Sequence, residues 1–161
     1  MFAEIRRKDK AKTTEDAQRI LKQAPYGVVA TTLENGYPYA VPVSHIYEDN
    51  AIYFHSANAG QKFEALLRNP KVSFTVMGGS PQVQPGKFTV FYSSAIAFGT
   101  VSVVQDEAEE KRALHLITQK FDPGVSLQDE ATYTQSHRGK FCVFRITIQH
   151  LTAKGLLTEN E

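Results

Sequence analysis

The chain has 161 residues, with 18 Lys and Arg against 17 Asp and Glu and a formal net charge of +1 at pH 7. That length suits one domain, and the charge balance gives no global attraction to a polyanion such as DNA or to an acidic membrane. Cys142 is the only cysteine, which excludes an intramolecular disulfide and a cysteine metal cluster. Residues 1–12 read as a basic, mobile arm carrying Arg6, Arg7, Lys8, Lys10 and Lys12, with no apolar signal core. No stretch approaches about 20 uncharged apolar residues, so no membrane span is expected and a cytoplasmic location follows.

Thr13 or Thr14 caps a first helix, with Glu15 and Asp16 in its first turn and Ala17, Ile20, Leu21 and Ala24 on one face. Pro25 and Gly27 end it. Gly27 to Leu33 is a β-branched strand, and Asn35-Gly36 is the strongest hairpin signal in the chain. The next strand, Tyr37 to Tyr47, contains Pro42, which cannot donate to a ladder. The strand is therefore an edge there, bulged, or open to something else. A tight turn at Glu48-Asp49-Asn50 leads to a third strand, Ala51 to His55. A short helix over Gln61–Arg68 follows, stopped by Asn69-Pro70, then a strand over Lys71–Met77 and a Gly/Pro-rich loop over Gly78–Gly86. Phe88 to Val104 is a strand long enough to need a bend near Ser93-Ser94. Asp106 caps a helix to about Lys120, residues 121–139 read as irregular, and Lys140 to Ile148 is the last strand before a polar tail. Six strands joined early by hairpins, with separate helices, predict an antiparallel sheet closing into a small barrel, mainly β with flanking α.

Most catalytic patterns are missing. No G-x-G-x-x-G, G-x-x-x-x-G-K or G-x-S-x-G occurs, and no two of the five histidines are four residues apart. If Asp49-Asn50 is a two-residue turn, Glu48 pairs with Ala51 and Ser44 with His55, so His45 and His55 face opposite sides of the sheet. No protein-bound metal is expected. Cys142 alternates with Phe141 and Val143 in a strand, which favours a structural thiol over a nucleophile. The segment Tyr53-Phe54-His55-Ser56-Ala57-Asn58-Ala59-Gly60-Gln61-Lys62 is the most informative. A strand ends in polar residues, small residues allow close approach, and a helix begins with Lys62 in its first turn. That pattern serves either a phosphate site or a plain strand–loop–helix connection with a solvated lysine.

The sequence resembles the pyridoxamine-phosphate-oxidase-like flavoproteins of the FMN-binding split-barrel fold, and within them the nitroimidazole-resistance proteins. The carrying residues are Arg6-Arg7-Lys8-Asp9, Gly36 to Val43, Ile52 to Ala57, Gly60-x-Lys62, Leu66 to Val72, Tyr92 to Gly99, the Glu110-Lys111 to Leu114 helix, and Lys154-Gly155. The resemblance implies an antiparallel six-stranded split β-barrel over residues 13–155, with residues 156–161 as a tail. It implies a homodimer with FMN in the cleft between protomers and a small-molecule substrate, without nucleic acid or membrane partners. On the matching positions, Lys62 would meet the FMN phosphate, and His55, Ser56 and Ala57 would line the phosphate and ribityl region. Val41, Pro42, Val43 and Ser44 would run beside the isoalloxazine, and Ser93 and Ser94 would approach the flavin from the other subunit. His55 would serve as the catalytic proton donor in reduction of nitro-aromatic or quinone-like compounds. A non-catalytic flavin carrier or sensor, and a haem- or deazaflavin-binding relative, are the alternatives. Thr100 follows Gly99 where the family often has arginine, and the 78–86 loop is expanded. Nothing matches a pyridoxal-phosphate pocket closely enough to imply vitamin oxidation.

Overall fold

A computed structural model describes residues 2–79 and 81–156. Ser80 and all of the expected tail except Leu156 lie outside the described residues. The first helix, α1 (Thr14–Gln23), starts in a capping box: the Thr13 hydroxyl accepts from Asp16 N–H while the Asp16 carboxylate accepts from Thr13 N–H. Its buried residues Ala17, Ile20 and Leu21 face the sheet. β1 (Tyr26–Thr32) and β2 (Pro38–Ser44) form the first hairpin. Leu33 N–H donates to Tyr37 O at 2.8 Å, and Gly36 takes the left-handed conformation (φ 85°) that closes the loop. β3 (Ile46–Glu48) and β4 (Ala51–Ala57) are joined at Asp49-Asn50, both left-handed, with Glu48 opposite Ala51 as the register argument predicts.

There follow α2 (Gln61–Arg68), β5 (Lys71–Met77), a short β6 (Gln82–Gln84), β7 (Thr89–Val103), α3 (Glu107–Phe121), α4 (Leu127–Ser136) and β8 (Phe141–Leu156). All the strand pairs are antiparallel, and the main sheet runs β2-β1-β5-β7-β8-β4-β3, with β6 attached to β7 alone. The two outermost strands, β2 and β3, are continuous in the chain across His45. The sheet therefore curls until its edges meet at that residue, as a split barrel. Among the described residues eight strands replace the six expected, because Tyr37–Tyr47 divides at His45 and because β6 forms. His45 turns fully inward: Nε2 donates to Leu21 O at 2.9 Å, and its ring meets Phe74 edge-on at 4.9 Å.

Pro42 costs the ladder nothing. Leu33 and Tyr37 form a hydrogen-bonded pair, so alternation makes Val29–Val41 and Gly27–Val43 hydrogen-bonded too and leaves Val28–Pro42 as a non-hydrogen-bonded pair. The missing N–H of Pro42 points away from β1, on the open side of an edge strand.

Four expectations change. The irregularity in β7 sits between Phe98 and Gly99 rather than at Ser93-Ser94: Phe98 pairs with His150 and Gly99 with Ile148, leaving Gln149 as the extra residue of a bulge. Gly99 permits this, because a Cβ there would lie 2.3 Å from Thr147 O. Gly99→Ala is expected to destabilise the fold by about 1–2 kcal/mol, read as a lower urea midpoint. Residues 127–136, expected to be irregular, form α4. Ser126 caps it through Asp129 N–H, but none of its residues is buried, so it carries no hydrophobic periodicity. β8 runs to Leu156 instead of ending at Ile148. The basic arm is laid on the sheet: Lys12 N–H donates to Ala153 O at 2.9 Å, and Phe2 stacks on His150 at 4.7 Å.

The main core fills the barrel around Leu21, Phe54, Phe74, Phe144 and Ile146. A second cluster, around Ile46, Tyr53, Ala113, Ile117 and Val143, joins α3 to the outer face of β3, β4 and β8.

Candidate functional site

The split is where backbone groups are left free. β3 covers β4 only from Ala51 to Tyr53, so among the described residues Phe54–Ala57 pairs with β8 on one side and with no strand on the other. β2 likewise has β1 on one side only. These two lips touch across the split. Val41, Pro42, Val43 and Ser44 lie on one lip, and His55, Ser56 and Ala57 on the other. The expected Ser44–His55 pair does not form, because the chain turns inward at His45 first. The predicted opposition of the histidines does hold: His45 is enclosed in the core and His55 is exposed.

Alternation along β4 turns Ser56 inward, where it is 3% exposed and its hydroxyl donates to Ala57 O at 3.1 Å. His55 and Ala57 face outward. The following loop is pinned to the start of β8 by Asn58, whose side-chain amide donates to Gly139 O at 2.9 Å. Gly60 then sets the helix entry with φ 93°, and a Cβ there would meet nothing within 4 Å.

α2 begins without a side-chain cap, whereas Thr13, Asp106 and Ser126 cap the other three α-helices. Its first N–H groups and the positive end of its dipole are therefore unneutralised. Lys62, in the first turn, is half-buried and makes no ion pair among the described residues. Burial lowers its pKa. Partial desolvation, and then the charge of Lys62, lower that of His55, which favours its neutral imidazole. A half-buried ammonium beside an uncapped helix end, facing an open-edged split, fits a phosphate monoester attached to a flat ring. The helix end and lysine suit the phosphate, and the free backbone groups of the lips suit the ring.

Ser93 and Ser94 are not brought there within one protomer. Ser94 lies nine residues and Ser93 ten along β7 from Val103, which pairs with Phe144 near the site, a path of about 30 Å along the strand. The Ser93 hydroxyl donates to Gly78 O at 2.9 Å, and Ser94 borders the arm beside Arg6 and Lys154. Cys142 is buried, and burial raises its thiol pKa, in keeping with a structural role. Among the described residues, no three His, Cys, Asp or Glu side chains are grouped to hold a metal, and no helix is long and apolar enough to cross a membrane.

One feature of the site was not legible in the sequence. Outside β4, a cavity of about 650 Å³ opens between α3, α4 and the start of β8, with His55 and Ala57 in its wall. Its far wall is α4. Among its signals, only the Ser126-x-x-Asp129 cap was readable in advance.

Residues 13–155 match the family described as pyridoxamine 5'-phosphate oxidase. A candidate 5-nitroimidazole antibiotic resistance protein from Bacteroides thetaiotaomicron shares 28% identity, with a TM-score of 0.73 over 89% of this chain and 84% of that one. A conserved hypothetical protein from Mycobacterium tuberculosis, 16% identical, superposes with a TM-score of 0.79 over 94% of this chain and 90% of that one. An FAD and heme binding protein from Mycobacterium smegmatis, 20% identical, gives 0.70 over 94% and 74%. The last two likenesses are of fold. No curated protein matches the sequence.

Proposed function

The chain belongs to the pyridoxamine 5'-phosphate oxidase family, and from that premise we propose that it is an FMN-binding oxidoreductase that reduces small nitro-aromatic or quinone-like compounds. The observation that carries this reading is the uncapped start of α2 with the half-buried Lys62, which makes no ion pair among the described residues, at the split. A single lysine and a single helix end match one terminal phosphate. The nitroimidazole-resistance relative, at 28% identity, points to the acceptor.

Bound FMN would supply the redox chemistry, taking electrons from an external reductant and yielding them to the acceptor. The chain's own residues hold and tune it. Lys62 and the α2 N–H groups anchor the phosphate, and the open edge of β2 at Ala40, Pro42 and Ser44 borders the ring. His55, exposed beside Lys62, delivers a proton to the reduced acceptor. A homodimer completes the cleft in this reading, with Ser93 and Ser94 coming from the second copy, since one protomer holds them far from Lys62.

The test is oxidation of reduced nicotinamide by the purified protein, with and without a neutral nitro-aromatic. Acceptor-dependent turnover supports the reading; flavin binding without turnover leaves a carrier. Because the His55 pKa is lowered from 6.5, its half-protonation point lies below that pH and its protonated fraction increases on acidification. Turnover should therefore rise on acidification below about pH 6.5. His55→Gln should flatten that limb, and an unaltered pH profile would remove His55 from proton delivery.

A further inference from the structure

The cavity outside β4 has the size of a small-molecule site: about 650 Å³, where such sites span roughly 300–1,000 Å³. Leu114, Ile117, Phe121, Val125 and Phe141 make its lining predominantly apolar. Tyr133 stacks on His137 at 4.1 Å between ring centroids, and this pair forms one wall. The charged groups at the cavity are Asp122, Asp129, Glu130 and Lys140. Glu130 lies 3.0 Å from His115 Nδ1. Asp129 accepts from the Ser126 hydroxyl at 2.7 Å, which leaves its charge in place, and Asp122 makes no ion pair among the described residues. Three carboxylates thus face one lysine, and among the described residues that line the cavity no arginine is present to clamp a phosphate.

α4 points to the same conclusion independently. It is ten residues long and buries none of them, although a helix that short is marginal without packing. Its cap is local to its own first turn, the Glu130–His115 contact ties it to α3, and where a core would lie beneath it there is the cavity.

We propose that this cavity is a second small-molecule site adjoining the flavin site at His55, that it takes flat aromatic compounds that are neutral or cationic, and that it rejects phosphorylated ones. The reading rests on the proposed flavin site for its catalytic meaning, since His55 belongs to both. It departs from the substrate in the family's name, because the cavity's unmatched charge is negative.

The experiment compares menadione, 2-methyl-5-nitroimidazole and pyridoxine 5'-phosphate as ligands of the purified full chain, by ligand-observed NMR and by hydrogen exchange of α4. Val125→Trp and Thr134→Trp each fill the cavity away from Lys62, and FMN titration of every variant checks that the split is intact. The two neutral rings should bind and slow exchange across residues 127–136, pyridoxine 5'-phosphate should not, and either filled variant should weaken the neutral rings by about tenfold or more. Asp122→Lys should admit the phosphate. Tighter binding of pyridoxine 5'-phosphate than of the neutral rings, or neutral-ring binding unchanged in both filled variants, would overturn the proposal. So would a change of oligomeric state in those variants without a change in ligand affinity, which would give the cavity to a second copy. If FMN fails to bind while the neutral rings follow the expected pattern, the flavin reading falls and the pocket stands. Lys62-dependent FMN binding with a failed ligand pattern sinks the pocket alone.

Discussion

Lys62→Met should weaken FMN binding about 10- to 150-fold, the loss of one charge-assisted phosphate contact worth about 1.5–3 kcal/mol. Methionine keeps the stem that Lys62 buries and removes the ammonium, so lost packing does not confuse the result. The estimate applies because Lys62 is half-buried, where a contact is screened less than at an open surface. It also has no ion pair of its own to release among the described residues. Riboflavin separates phosphate from ring. It should bind more weakly than FMN to the native chain and be indifferent to Lys62→Met. Flavin fluorescence titrations read all four affinities. If Lys62→Met leaves FMN affinity unaltered, the phosphate lies elsewhere.

The second large effect is on stability. His45 is fully enclosed, and burial, followed by the nearby positive charge of Lys120, lowers its pKa from 6.5 to about 4. Lys120 is held there by two carbonyls: its ammonium donates to Ala24 O at 2.7 Å and to His45 O at 2.9 Å. A folded-state pKa below the unfolded one means that the unfolded chain binds the proton more readily. The contribution of His45 is therefore fully present above pH 6.5 and is lost as pH falls through 4. The loss is about 3 kcal/mol. Urea unfolding at intervals across that range should show the decline, and His45→Gln, which keeps a donor for Leu21 O, should remove most of it. Exposed carboxylates titrate in both chains, so the difference between them isolates His45. Parallel curves for the two proteins would contradict this assignment.

How far the sequence reaches depends on where each element finds its partners. α1 was legible because Thr13 and Asp16 cap it within four residues and its apolar face repeats every turn. α2 and β5 were legible to the residue, as Gly60 and Asn69-Pro70 punctuate them. The opposed faces of His45 and His55 followed from a two-residue turn and strand alternation. The break at His45 did not follow, since it depends on Leu21 and Phe74, which are distant in sequence. Nor did the bulge at Gly99, set by Thr147 on another strand. The last strand looked polar beyond Ile148 because His150, Thr152 and Lys154 alternate there with Leu151 and Ala153. The candidate site divides in the same way. Lys62 and the start of α2 are local features and could be read directly. The cavity outside β4 depends on α4, none of whose residues is buried, so no hydrophobic pattern announced it.

The most direct measurement is the chromophore of the purified protein: its visible spectrum, its mass after extraction, and its stoichiometry against the size of the native particle. FMN held between two chains predicts a yellow protein that releases FMN, one per chain, from a particle of two chains. A Soret band, an FAD mass, or a colourless chain that takes up no FMN would contradict it.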